Sequence, residues 1–171
     1  MLLAAYPERG SAYRIGALVL FAAAAVILTA LAFEHFGGYV PCPLCLQQRY
    51  AYYTGVPALF FALVLLSAGH TRTAAAVFLA VALIFLANAV LGAYHTGVEW
   101  KFWPGPTDCS GPVVDLGSAG TLLQRLDSVK VIRCDEVQWR FLGLSLAGYN
   151  VLISLLMAVM AVWGIVSAKR A

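Results

Sequence analysis

The sequence predicts an all-α integral membrane protein, a four-helix antiparallel bundle, and three observations carry that prediction. Hydrophobic residues make up 62% of the 171-residue chain and charged residues only 11%. The charges fall in a few short stretches, and between them run four uncharged segments close to the roughly 20 residues that a helix needs to cross about 30 Å of hydrocarbon. A backbone group left unpaired in lipid costs several kcal/mol, so such runs hydrogen-bond internally as helices. The period-2 alternation of an outer-membrane strand is absent.

The spans are expected at about 16–34, 49–69, 73–94 and 142–167, with loops at about 35–48 and 95–141, all in one membrane domain. The first span lacks a convincing small-residue cleavage site, so it is expected to be retained and not removed as a signal peptide. The residues before Ser11 are expected to fray. A turn of about five residues around His70 joins the second and third spans. Within the spans, Asn88, Gly92 and Ser154 are expected to serve packing and interhelical hydrogen bonding.

Orientation follows from Lys and Arg in the short flanks. Arg9 and Arg14 precede the first span, Arg72 lies between the second and third, and Lys169 and Arg170 follow the fourth, so both termini are expected in the cytoplasm. The long loop on the other side offsets Lys101, Arg125, Lys130, Arg133 and Arg140 with six acidic residues, a balance that suits a translocated segment. The net charge of +3 is then mostly a topology signal, and no basic patch points to nucleic acid.

On this map all four cysteines, Cys42, Cys45, Cys109 and Cys134, face the exported side, because the chain crosses twice between Cys45 and Cys109. In a bacterium that side is the oxidising periplasm, where disulfides persist. Four cysteines allow three pairings, and adjacency favours Cys42 with Cys45 and Cys109 with Cys134. Pro43 fits the first position of a helix, which makes Cys42 its cap and places Cys45 in the first turn. The unpaired N–H groups and positive end of that helix favour a thiolate at Cys45. Arg49, one turn further on, is placed to stabilise that thiolate or the charge developing on an acceptor in the bilayer. A four-residue ring constrains the unfolded chain little, so a reactive pair is expected here and not a staple.

The second pair is more ambiguous, since a disulfide around a loop of this size stabilises by roughly 3 kcal/mol and serves equally as a brace. Within that loop Leu122, Leu123, Leu126 and Val129 recur at helical spacing, which predicts a short amphipathic helix on the membrane surface. Tyr50, Tyr52 and Tyr53 are candidates to line the pocket of an acceptor in the bilayer, but an interfacial belt uses the same residues and is the favoured reading. A metal site built from the four cysteines and His95 is not expected, because Cys109 and Cys134 lack paired short spacing and the compartment is oxidising.

The segments Cys42-Pro-Leu-Cys45-Leu-Gln-Gln-Arg49, Tyr94-His95, Phe102-Trp-Pro-Gly-Pro-Thr-Asp-Cys109-Ser and Cys134-Asp-Glu-Val-Gln138-Trp139-Arg-Phe-Leu-Gly143 together resemble the disulfide bond formation protein B family, DsbB. The resemblance covers nearly the whole chain. It implies a protein-dithiol:quinone oxidoreductase of the bacterial inner membrane, served by a periplasmic thioredoxin-fold oxidase of the DsbA type and by the membrane quinone pool, ubiquinone or menaquinone. It further implies that the partner attacks Cys109, that the freed Cys134 attacks Cys42, and that Cys45 passes electrons to the quinone. Arg49, and more weakly His95, are implied beside the quinone ring. Gln48 stands where some members carry an acidic residue, and no role follows for it. The DsbA–DsbB–quinone relay is the general account of how the periplasm is kept oxidising.

The direction of flow also has a thermodynamic basis. A disulfide at about −120 mV is regenerated only by something at least as oxidising, and each 30 mV of shortfall costs about 1.4 kcal/mol. A lipid-soluble quinone meets that need. The competing readings are a non-enzymatic four-span protein with structural disulfides, such as a transporter subunit, and a reductase of the vitamin K epoxide type.

Overall fold

The computed structural model describes residues 7–106 and 134–170. Its helices are α1 (Pro7–His35), α2 (Pro43–Ser67), α3 (Thr71–Glu99) and α4 (Leu146–Arg170), each long and apolar enough to cross a membrane. The protein is a multi-pass membrane protein. The amphipathic helix expected around Leu122 to Val129 lies outside the described residues.

Three of the helices outrun the apolar segments that announce them, because hydropathy marks the hydrocarbon-spanning part while backbone hydrogen bonding continues into the interface. Helix α1 begins at Pro7, so residues expected to fray are helical from there on. Helix α2 begins at Pro43, ahead of its apolar run, and α3 continues past Tyr94 to Glu99, carrying His95 and Glu99 on one face. The joint between α2 and α3 is the three residues 68–70.

Helix α1 packs against α2 and α4, and α3 packs against α2 and α4, so the four close into a ring. The shared core holds Val19 of α1, Leu59 and Leu66 of α2, Phe78 and Phe85 of α3, and Ala161 of α4. Close approach depends on small residues, since a Cβ on Gly16 would stand 2.8 Å from Cζ of Phe78. The outer faces are as apolar as the core, with Phe21, Phe60, Leu83 and Trp163 exposed, as a helix in lipid requires. Truncation of Phe78 to alanine is expected to destabilise the bundle by about 3–5 kcal/mol. Thermal unfolding in detergent checks this, and an unchanged midpoint would remove Phe78 as the centre of the core.

Inside the bundle, Asn88 donates to Ser154 Oγ (2.9 Å) and to Asn150 Oδ1 (3.2 Å), and the Tyr52 hydroxyl donates to the same Asn150 oxygen (2.7 Å). Asn88 and Ser154 thus have the interhelical role expected of them. Tyr52 departs from the belt. It is buried, whereas Tyr50 and Tyr53 are exposed.

One feature was not legible as helix. Strands β1 (Arg140–Phe141) and β2 (Leu144–Ser145) pair antiparallel just before α4, with Arg140 opposite Ser145 and Phe141 opposite Leu144. Leu142 (φ 49°) and Gly143 (φ 83°) turn the chain between them, the left-handed pair that a two-residue hairpin of this twist demands. The Tyr149 hydroxyl on α4 donates to the Phe141 carbonyl (3.0 Å), and Trp139 stacks on Phe141 with centroids 5.9 Å apart. The hairpin thereby fixes the chain that leads from Cys134 into α4.

Candidate redox site

Cys42 caps α2. Its backbone is extended (φ −74°, ψ 164°), Pro43 occupies the first turn, and the Cys42 sulfur accepts the backbone N–H of Cys45 at 3.2 Å. The cap position is where the first-turn N–H groups point, so the sulfur there collects the positive end of the helix. His95 Nε2 approaches the same sulfur at 3.7 Å. The Cys42 thiol is pulled from 9.0 down to about 5, chiefly by the Cys45 thiol's hydrogen bond, with burial pushing upward and the His95 ring adding to the pull. The sequence placed the favoured thiolate at Cys45. The structure places the stabilising contacts on Cys42, because Cys45 spends its own N–H on the cap.

His95 is buried, not an interfacial anchor, and its donor atom and both sulfurs lie within 4.8 Å of one another. Its Nδ1 pairs with Gln48 Nε2 at 2.8 Å, and Gln48 Oε1 accepts from Asn150 Nδ2 at 2.6 Å. A continuous chain of polar side chains therefore runs from the Cys42 sulfur through His95 and Gln48 to Asn150 and Tyr52. Sequence reasoning left Gln48 without a role and passed over Asn150. The available signal was spacing: Gln48 and Tyr52 lie four apart on α2, on the face that Cys45 begins.

On the other side of the ring, Glu99 Oε1 stands 3.9 Å from His95 Nε2, while its second oxygen accepts the Ser145 hydroxyl. Ser145 Oγ in turn accepts the Gly148 N–H at 3.2 Å. Both His95 and Glu99 side chains are almost wholly buried.

Arg49 pairs with the Glu34 carboxylate of α1 and reaches the Ala30 carbonyl at 3.5 Å. It lines a cavity of about 350 Å³ together with Cys45, His95, Phe33, Trp139 and Asn150. That volume and mostly apolar wall suit a flat ring ligand. Gln138 Nε2 donates to the Val40 carbonyl (2.9 Å), tying together the two segments that border the cavity.

Cys42 and Cys45 are free thiols and Cys134 is disulfide-bonded. Cys134 is buried in one small cluster with Cys42, Leu44 and Val98, against which Cys45 and Leu91 pack. The fold thus brings Cys134 to the first pair, a proximity that the sequence does not contain. Cys109 lies outside the described residues.

A dithiol whose first thiol is held well below its ordinary value, a disulfide-bonded cysteine packed against it and a cavity at the end of a membrane bundle fit a membrane thiol–disulfide oxidoreductase. The family model described as "Disulfide bond formation protein DsbB" matches residues 13–164. The chain is 33% identical over 168 residues to disulfide bond formation protein B of Aromatoleum aromaticum, covering 90% of this chain and 92% of that protein. It is 30% identical over 155 residues to the protein of that name from an Azoarcus species, covering 85% and 88%. Against the Stutzerimonas stutzeri protein the identity is 27% over 157 residues, covering 85% and 90%. The chain belongs to the disulfide bond formation protein B family, and its role is that of an oxidoreductase in disulfide formation.

Proposed function

We propose that the chain oxidises the active-site dithiol of a periplasmic thioredoxin-fold oxidase of the DsbA type and passes the electrons to a membrane quinone, generating disulfides de novo. The observation that carries this reading is the position of the Cys42/Cys45 pair, which packs against Cys134 on one side and borders the Arg49 cavity on the other.

The partner's thiolate attacks Cys109 in a Cys109–Cys134 disulfide and frees Cys134. Cys134 attacks Cys42 in the oxidised first pair, and Cys45 leaves as a thiolate at the cavity wall. The partner's second thiol resolves its mixed disulfide with Cys109, and reclosure of Cys109 on Cys134 returns Cys42 as a thiolate. A bound quinone supplies a two-electron, two-proton sink. Arg49 would hold a quinone oxygen and offset negative charge there, and His95 would border the ring while hydrogen-bonding Cys42. The cysteines then face the periplasm and both termini the cytoplasm, in the inner membrane, as the flanking Lys and Arg support.

Purified protein in detergent, given reduced thioredoxin-fold oxidase and ubiquinone or menaquinone, is expected to reduce quinone. Cys45→Ala is expected to abolish turnover. No turnover by folded wild-type protein with either quinone would overturn the proposal in favour of structural disulfides.

A further inference from the structure

Glu99 is a buried carboxyl group that the relay above does not use. One of its oxygens takes the Ser145 hydroxyl and the other faces His95 Nε2, which itself faces the Cys42 sulfur at 3.7 Å. We propose that Glu99 is the proton store of the redox site, holding, across the His95 Nε2–H that faces both groups, the proton that Cys42 gives up when it stands as a thiolate, and releasing it when the pair is oxidised. The inference rests on the quinone reading for the destination of that proton.

The groups that act on Glu99 are His95 on its own helix, Cys42 at the start of α2 and Arg140 on β1, while Cys45 lies in turn within reach of the Glu99 charge. Glu34, Arg49 and Glu136 line the same cavity, with Glu34 and Arg49 already paired to each other. A thiolate and a carboxylate in one mostly apolar pocket repel, and a proton held on the carboxyl removes one of the two charges. Once the Cys42–Cys45 bond forms, the thiolate charge is gone. The carboxylate then keeps His95, the Ser145 hydroxyl and the more distant Arg140 for its own stabilisation.

The balance closes. The reduced site holds Cys42 as thiolate, Cys45 as thiol and Glu99 protonated. Oxidation forms the Cys42–Cys45 bond, breaks the Cys45 S–H bond and gives up two electrons and two protons to the quinone as acceptor, one proton from Cys45 and the other from Glu99. The next two electrons, delivered through Cys134 from the partner's dithiol, reduce the pair again, and the two protons given up by that dithiol return through the solvent to Cys45 and Glu99.

The test counts protons without quinone. Full-length protein with Cys109 and Cys134 replaced by alanine is reduced, freed of quinone, and oxidised with ferricyanide near neutral pH in weak buffer containing a pH indicator. The unsubstituted Glu99 site is expected to release about two protons per disulfide and Glu99→Gln about one, because the amide stores none. Infrared difference spectra are expected to lose a protonated-carboxyl C=O band on oxidation. That band should shift in Glu99→Asp, which keeps a carboxyl should the glutamine variant fail to fold. Two protons from Glu99→Gln, or no carboxyl band, would overturn the proposal, because the proton would then reside on His95 or on Cys42 itself. Absence of quinone reduction in the wild type would instead strike the quinone reading and leave the proton count standing.

Discussion

Arg49→Ala is expected to slow quinone reduction by about 10²–10³-fold, the range seen when one preorganised charge stabiliser is removed from a dry site. The expectation rests on position. The guanidinium lines the same cavity as Cys45, is 13% exposed, and is held by Glu34 and the Ala30 carbonyl. A charge so fixed needs no reorganisation when negative charge develops on a quinone oxygen. Arg49→Lys is expected to recover only part of the loss, since an ammonium cannot reproduce the fork that spans Glu34 and a second acceptor. Formation of the mixed disulfide with the partner oxidase should continue at the wild-type rate, because the proposed relay places that step at Cys109. Steady-state quinone reduction and single-turnover trapping on the same preparations separate the two. Quinone kinetics within about twofold of wild type would reduce Arg49 to an interfacial anchor of the kind long basic side chains often form.

The second large effect concerns His95. A hydrogen bond to a charged group contributes about 1.5–3 kcal/mol, and His95 Nε2 is directed at a sulfur whose thiol is drawn down to about 5. The sign follows from which redox state benefits. A thiol held below its ordinary value stabilises the reduced pair at every pH above that value, so the corresponding disulfide is more oxidising. His95→Ala removes part of that stabilisation. The potential of the Cys42/Cys45 couple is expected to fall by about 30–60 mV, at about 30 mV per 1.4 kcal/mol. Cys42 alkylation in the reduced wild-type protein is expected to be lost only as pH falls through about 5, and in the variant about one to two pH units higher. Redox titration against a thiol buffer, with Cys109 and Cys134 replaced by alanine, measures the first quantity and the pH profile of alkylation the second. An unchanged potential together with an unchanged profile would leave His95 as a packing residue.

These effects also explain why a membrane protein tolerates so many polar groups at one end. Gln48, Asn150, Tyr52 and Asn88 satisfy one another in an unbroken chain behind His95, so a ring that faces two sulfurs is buried with partners on both nitrogens. Unpaired, the same side chains would each carry the penalty of a polar group in hydrocarbon. Trp103, stacked on Tyr94 and donating to its carbonyl at 3.0 Å, closes over Gly97, where any Cβ would collide with the indole. That contact anchors the C-terminal end of α3 near His95 and Glu99.

Much of the protein was legible along the chain because its signals are local. Four apolar runs dictate four helices, since lipid offers the backbone no other partner. Pro43 between two cysteines dictates a cap, because proline fits the first helical turn and the residue before it does not continue the helix. The flanking charges carry the expected orientation, and the Cys-x-x-Cys-x-x-x-Arg spacing carries the family.

Other features depend on residues far apart in sequence meeting in space, and no local pattern encodes such meetings. Packing alone decided that Cys134 lies against Cys42, that Glu34 holds Arg49, and that Asn150 on the last helix reaches Gln48 on the second. It also decided which sulfur receives the stabilising contacts. The sequence marks Cys42 and Cys45 as a pair and favours the thiolate at Cys45. That preference reverses only when the helix end and the His95 ring converge on Cys42, because electrostatic stabilisation depends on distance and direction, which the chain acquires by folding.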